Sequence, residues 1–151
     1  MIRKVLLVIL SIVVVAQFFQ PAKNDGTAHA VTDITHAVSI PDSVMAVLKT
    51  SCYDCHSNHT NYPWYSKITP VNWWLKDHID EGKRSLNFSA FTTYERHDWD
   101  HCLEEIAETV KDRSMPLPSY LWIHDEAKLT EAQRVMITDW VSAAREELSR
   151  Q

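Results

Sequence analysis

Five consecutive residues constrain this chain more than any other stretch: Cys52-Tyr53-Asp54-Cys55-His56. Cys-x-x-Cys-His is the signature of covalent c-type haem attachment. Two thiols, separated by two residues, can both reach one edge of a porphyrin and add to its two vinyl groups. The adjacent histidine is then held beneath the ring, where an imidazole nitrogen can bind iron as the proximal ligand. Three other chemistries use a Cys-x-x-Cys pair. A zinc site needs two further ligands, and the remaining cysteine, Cys102, stands alone with His97 and His101 nearby. A thioredoxin-like redox motif needs a βαβ setting, which the sequence does not display. A plain disulfide needs nothing more than the pair.

A chain of 151 residues has room for one domain and an appendage. Its apolar fraction of 45 % and six tryptophans supply a core, while only two glycines speak against a turn-rich β protein. The expectation is therefore an all-α domain. The net charge of −5, without a basic stripe, gives no case for nucleic acid as a partner.

Arg3 and Lys4 precede an apolar run from Val5 to Phe19 that only Ser11 and Gln17 interrupt. This is the layout of a signal peptide or signal anchor. A helix from Ile2 to Phe19 would be roughly 27 Å long, against a hydrocarbon core of about 30 Å, and would just span it. An uncleaved anchor over residues 1–20 is expected, with cleavage at Ala28-His29-Ala30 as the alternative. In either case the positive-inside rule keeps Arg3 and Lys4 in the cytoplasm and exports the rest. Residues 21–38 are polar and read as a flexible tether, with His29 and His36 as solvated linker histidines. The domain proper is expected over 39–151.

Pro41, Asp42 and Ser43 mark a helix start ahead of Val44, Val47 and Leu48, and this helix runs directly into Cys52. His59 reads as a loop residue, and Tyr62, Trp64 and Tyr65 as packing residues. A second helix has Thr69 as cap and Pro70 in its first position. Its inward face is Val71, Trp74, Leu75, His78 and Ile79, and Gly82 is its stop. His78 on this face reads as a core histidine. Thr92 and Glu95 have the capping-box spacing for a third helix with Trp99, Cys102, Leu103, Ile106 and Val110 inward. A buried Cys102 would act as a small hydrophobe. A last helix starts at Thr130 with Gln133 completing a capping box, and it presents Val135, Met136, Ile137, Trp140, Val141 and Ala144.

Between the third and last helices lies Met115-Pro116-Leu117-Pro118-Ser119-Tyr120. Two prolines exclude helix and stiffen the loop. A methionine pinned there is suited to be a soft thioether ligand on the far face of a haem held by His56.

From about Pro41 to Trp140 the chain resembles the haem-binding domain family with a cytochrome-c-like fold found in bacterial envelope proteins. The resemblance rests on Cys52 to Asn58, Tyr62-Pro63-Trp64-Tyr65, Pro70-Val71, Trp73-Trp74, Gly82, Leu86-Asn87-Phe88-Ser89 and Met115 to Tyr120. It implies one haem c, with Cys52 and Cys55 as thioether attachments, His56 as proximal and Met115 as distal ligand. It implies a small cytochrome-like helical domain wrapped around that haem. Six-coordinate His/Met iron suits an electron carrier that meets redox partner proteins of the cell envelope, on the periplasmic side of the bacterial inner membrane, rather than an enzyme. The alternative is a peroxidase-like haem enzyme or a gas or redox sensor with a labile distal ligand. Acid–base candidates for it, by residue type alone, are Glu95, His97 and His124.

Overall fold

A computed structural model describes residues 1–150. Six α-helices account for the architecture: α1 (Ile2–Ala16), α2 (Asp42–Ser51), α3 (Tyr53–His56), α4 (Val71–Ser85), α5 (Arg96–Lys111) and α6 (Glu131–Ser149). Short 3-10 turns join them, and among the described residues there is no strand, only one isolated bridge between Asp25 and His59. The expectation of an all-α fold is met.

Helix α6 begins as its sequence dictates. The Thr130 hydroxyl accepts from the Gln133 amide at 3.2 Å, and the Gln133 side chain accepts from the Thr130 amide at 2.8 Å. Its inward residues Ile137, Trp140, Val141 and Ala144 are buried, whereas Val135 faces solvent. Helix α6 packs along α5 and crosses α2, and the Trp140 indole donates to the Ser39 carbonyl at 2.9 Å. The main core joins Val44 and Leu48 of α2, Leu103, Ile106 and Val110 of α5, the α6 face, and Phe88 and Phe91 from the turn between α4 and α5. A smaller cluster of Tyr65, Leu75 and Ile79 backs α4 against Cys55.

Three starts differ from their sequence signals. Helices α2, α4 and α5 have Pro41, Pro70 and Glu95 at their N-caps, none with a side-chain cap. Thr69 is instead buried against Gln17 and Gln20, and the Thr92 amide bonds the Thr32 carbonyl at 3.0 Å. Both threonines are taken by partners far away in sequence, which local spacing cannot reveal. Gly82 does not stop α4, which continues to Ser85.

The stretch expected as a tether is packed onto the domain from Asn24 onward. Ile34 is fully buried and Val38 nearly so, both in the main core. The Asn24 side chain donates to the Ser57 carbonyl and the Thr60 hydroxyl at 2.9 Å each, and Ser89 Oγ donates to the Ala28 carbonyl. Part of the polar composition serves hydrogen bonds to the loop after His56, while His29 and His36 stay exposed, as expected of solvated histidines. Helix α1 shows the reverse: apolar but for Arg3, Lys4 and Ser11, it has no buried residue. It ends at Ala16, about 22 Å long by rise per residue, and no helix among the described residues is long and apolar enough to cross a membrane. The expected spanning length to Phe19 is not reached; Gln17 caps the helix with its backbone still helical while its side chain bonds Thr69.

Candidate functional site

Helix α2 ends where the Cys52 backbone leaves helical geometry, at φ −130°, and the single-turn helix α3 carries Cys55 and His56. This break lets both sulfurs and the imidazole face one cleft. A cavity of about 270 Å³ is lined by Cys52, Cys55, His56, Gly82, Met115 and Tyr120, among others. It adjoins a second of about 260 Å³ that shares Cys52, His56, Met115 and Pro116 and extends to Phe88, Ile106 and Val110. The two are halves of one largely apolar cleft between α4 and α5, with the Cys52–His56 motif and the Met115 loop at its middle. The four residues singled out from the sequence all line it.

Gly82 explains how α3 and α4 close on each other. A Cβ at this position would lie 2.9 Å from the Cys55 carbonyl oxygen and 3.1 Å from Cys55 Cβ. The glycine is therefore a requirement of close approach, not of chain termination.

His56 is held in one tautomer. Its Nδ1 donates to the Leu86 carbonyl at 2.9 Å, and the ring meets Phe88 edge-on at 6.2 Å between centroids. Such a bond on one nitrogen leaves Nε2 unprotonated, with its lone pair available to a metal. Burial lowers the imidazole pKa below the ordinary 6.5, and the Leu86 and Gly82 carbonyls pull in the opposite direction. The neutral, ligating form is favoured at neutral pH. Burial also pushes the Cys52 thiol up to about 12 and the Cys55 thiol up to about 11, with Cys55 and Asp54 respectively adding to the effect. These are protonated thiols, unlike the low-pKa thiolates of redox or zinc centres. Cys52, Cys55 and Cys102 are all free, and among the described residues no three His, Cys, Asp or Glu side chains converge as a metal-ion site. Cys102 is half-buried against the main core, away from the cleft lining.

Met115 enters the cleft from a loop anchored at both ends. Its amide donates to the Thr109 carbonyl at 3.0 Å, and Arg134 donates to the carbonyls of Val110 at 2.6 Å and Met115 at 3.4 Å. The turn out of α5 passes through Arg113, whose φ of 66° is a left-handed conformation usual for glycine. A tie not foreseen from sequence joins this loop to the motif: the Tyr120 hydroxyl donates to Asp54 Oδ2 at 3.0 Å. Burial and the neighbouring Asp54 carboxylate raise the Tyr120 pKa. Asp54 occupies a variable position of the motif, so the motif itself gives no signal for this role.

The other histidines fall differently from expectation. His78 is not in the core; it stands part-exposed at the cleft wall, with Nδ1 donating to the Trp74 carbonyl at 2.9 Å. His124 is buried but bound at both nitrogens, to the Tyr120 carbonyl at 2.9 Å and the Tyr65 hydroxyl at 3.3 Å. His97 pairs with Glu95 at 3.4 Å in a highly exposed position, and neither reaches the cleft.

An all-helical domain with an apolar cleft, two neutral thiols, a fixed neutral imidazole and a thioether has a donor set suited to haem. The profile of the haem-binding domain family matches residues 11–143, and the chain belongs to that family. It is a haem-binding protein. The match begins well before Pro41, so it takes in part of α1 and the packed segment after it. No curated protein and no solved structure matches the chain.

Proposed function

We propose that the chain is a mono-haem c-type cytochrome that carries electrons in the cell envelope. The observation that carries this reading is the convergence of Cys52, Cys55, His56 and Met115 on one cleft. There the Cys52 and Cys55 thiols would hold the haem covalently, as thioethers to its vinyl carbons. His56 Nε2, oriented by the Leu86 carbonyl, and the Met115 sulfur would hold its iron. A bound haem then supplies a one-electron iron couple, whose potential a neutral thioether raises by favouring the ferrous form. Phe88, Ile106 and Val110 give one side of the cleft an apolar wall to pack against a porphyrin. Iron held by both His56 and Met115 would have no open position for substrate, and the acid–base candidates Glu95, His97 and His124 lie outside the cleft lining, which supports an electron carrier over a peroxidase-like enzyme or sensor. The mainly apolar helix α1, exposed from Ile2 to Val15, supports attachment to the inner membrane, with the domain on its periplasmic side. The test is an absorption spectrum of protein matured with haem-attachment machinery. A methionine–iron charge-transfer band at the red end is expected; a high-spin spectrum lacking it would favour the sensor or enzyme.

A further inference from the structure

Helix α1 does not swing freely from the domain. The Gln17 amide exchanges two hydrogen bonds with the Thr69 backbone, each 3.0 Å. Asn72 donates to Gln20 at 2.7 Å, and the Trp73 indole donates to the Phe19 carbonyl at 2.8 Å. The root of α1 is thus fixed to the first turn of α4.

Around that root the domain exposes large apolar side chains: Trp64 at 77 %, Trp74 at 46 %, Ile68 at 43 % and Val71 at 37 %. Next to Trp74 in sequence, Trp73 closes an apolar groove with Ile12, Val15 and Phe19 of α1 and the residues just after it. Lys23 and Lys67 are exposed beside them, around a recess shared with Gln20 and Asn72. Indole rings favour the bilayer interface, with an apolar body and a polar edge. Lysines at the same level are attracted to anionic headgroups.

We propose that this face of the folded domain seats in the headgroup layer of an anionic lipid bilayer, with Trp64 and Trp74 inserted and Lys23 and Lys67 on the headgroup phosphates. The proposal rests on α1 being membrane-embedded, and the groove Trp73 shares with α1, together with the exposed Lys23 and Lys67, selects an anionic bilayer as the occupant. Its consequence is a fixed haem position. The cleft opens at Asp77 and His78, one turn beyond Trp74, about 6 Å along α4.

The experiment is hydroxyl-radical footprinting of the full-length, haem-loaded chain in phosphatidylcholine vesicles with and without phosphatidylglycerol. With the anionic lipid, labelling of Trp64 and Trp74 is expected to fall several-fold, while the exposed His97 and His101 on α5 stay unchanged. Lys23→Gln/Lys67→Gln should restore labelling, with seating weakened on the order of fivefold per lysine. Unprotected Trp64 and Trp74 on a chain that resists carbonate extraction would overturn the seating and leave the anchor intact. Carbonate release of the whole chain would overturn the anchor reading itself. Protection that ignores lipid charge and grows with protein density would assign the face to a second copy of the chain and overturn the proposal.

Discussion

His56 and Met115 line the same cleft but are held in different ways. His56 ends a helical turn pressed against α4, with Gly82 allowing contact at backbone distance, Leu86 fixing its nitrogen and Phe88 against its ring. Met115 stands in a loop tied by a few hydrogen bonds, to Thr109, Arg134 and, through Tyr120, to Asp54. Packing that admits no extra carbon is unforgiving. Hydrogen bonds at a half-exposed loop each contribute only about 0.5–1.5 kcal/mol net. The proximal wall is thus expected to be rigid, and the distal wall to be where ligation is lost or exchanged.

The largest effect should come from the rigid side. Cys52→Ala/Cys55→Ala is expected to abolish haem retention through acid–acetone extraction and to destabilise the domain, since haem would be much of so small a core. Haem that stays bound through extraction would show that other residues hold it. Gly82→Val is next. Its branched side chain would meet the Cys55 carbonyl, and overpacking of this kind costs typically about 1–3 kcal/mol, so the thermal midpoint and haem yield should both fall. Normal maturation of this variant would mean that α3 and α4 are free to separate.

On the distal side the chain should keep its haem and change its electronics. Met115→Ala is expected to lose the red band and lower the potential by on the order of 100 mV, roughly 2 kcal/mol for one electron. A low-spin spectrum that survives would pass the sixth position to His78, whose Nε2 is left free by the Trp74 contact. Tyr120→Phe should be mildest. It removes one donor to Asp54 while the Asn61 amide and side chain remain bound to the other carboxylate oxygen at 3.0 and 3.1 Å. A loss of about 1 kcal/mol is expected, read as a weaker red band at elevated temperature with attachment intact. A loss of covalent haem in Tyr120→Phe would erase the distinction between the two walls.

The same division governs what could be read before any fold was known. The cysteines, His56 and the α6 capping box are encoded within a few residues of each other. Met115 was legible because two prolines mark its loop. Gly82, Thr69 and Thr92 carry ordinary terminator and cap signals, yet each is used by a partner distant in sequence, so spacing alone misassigned them. His78 follows the apolar stripe by period but looks onto the cleft, because Asn72, Leu75, Ile79 and Gly82 form the buried face of α4. Residues 21–38 read as a tether because composition does not reveal that Asn24 donates to Ser57, Thr32 to Ser89 and Ser89 back to Ala28. In α1, hydropathy correctly marks a surface that the domain itself does not cover.

The proposed c-type cytochrome depends on a covalent bond between the polypeptide and its haem. Intact mass spectrometry under denaturing conditions, on wild-type chain matured with haem-attachment machinery, tests it most directly. The account predicts a mass increased by one haem, carried on the peptide containing Cys52 and Cys55. An unmodified polypeptide mass from protein that had bound haem in its native state would contradict it.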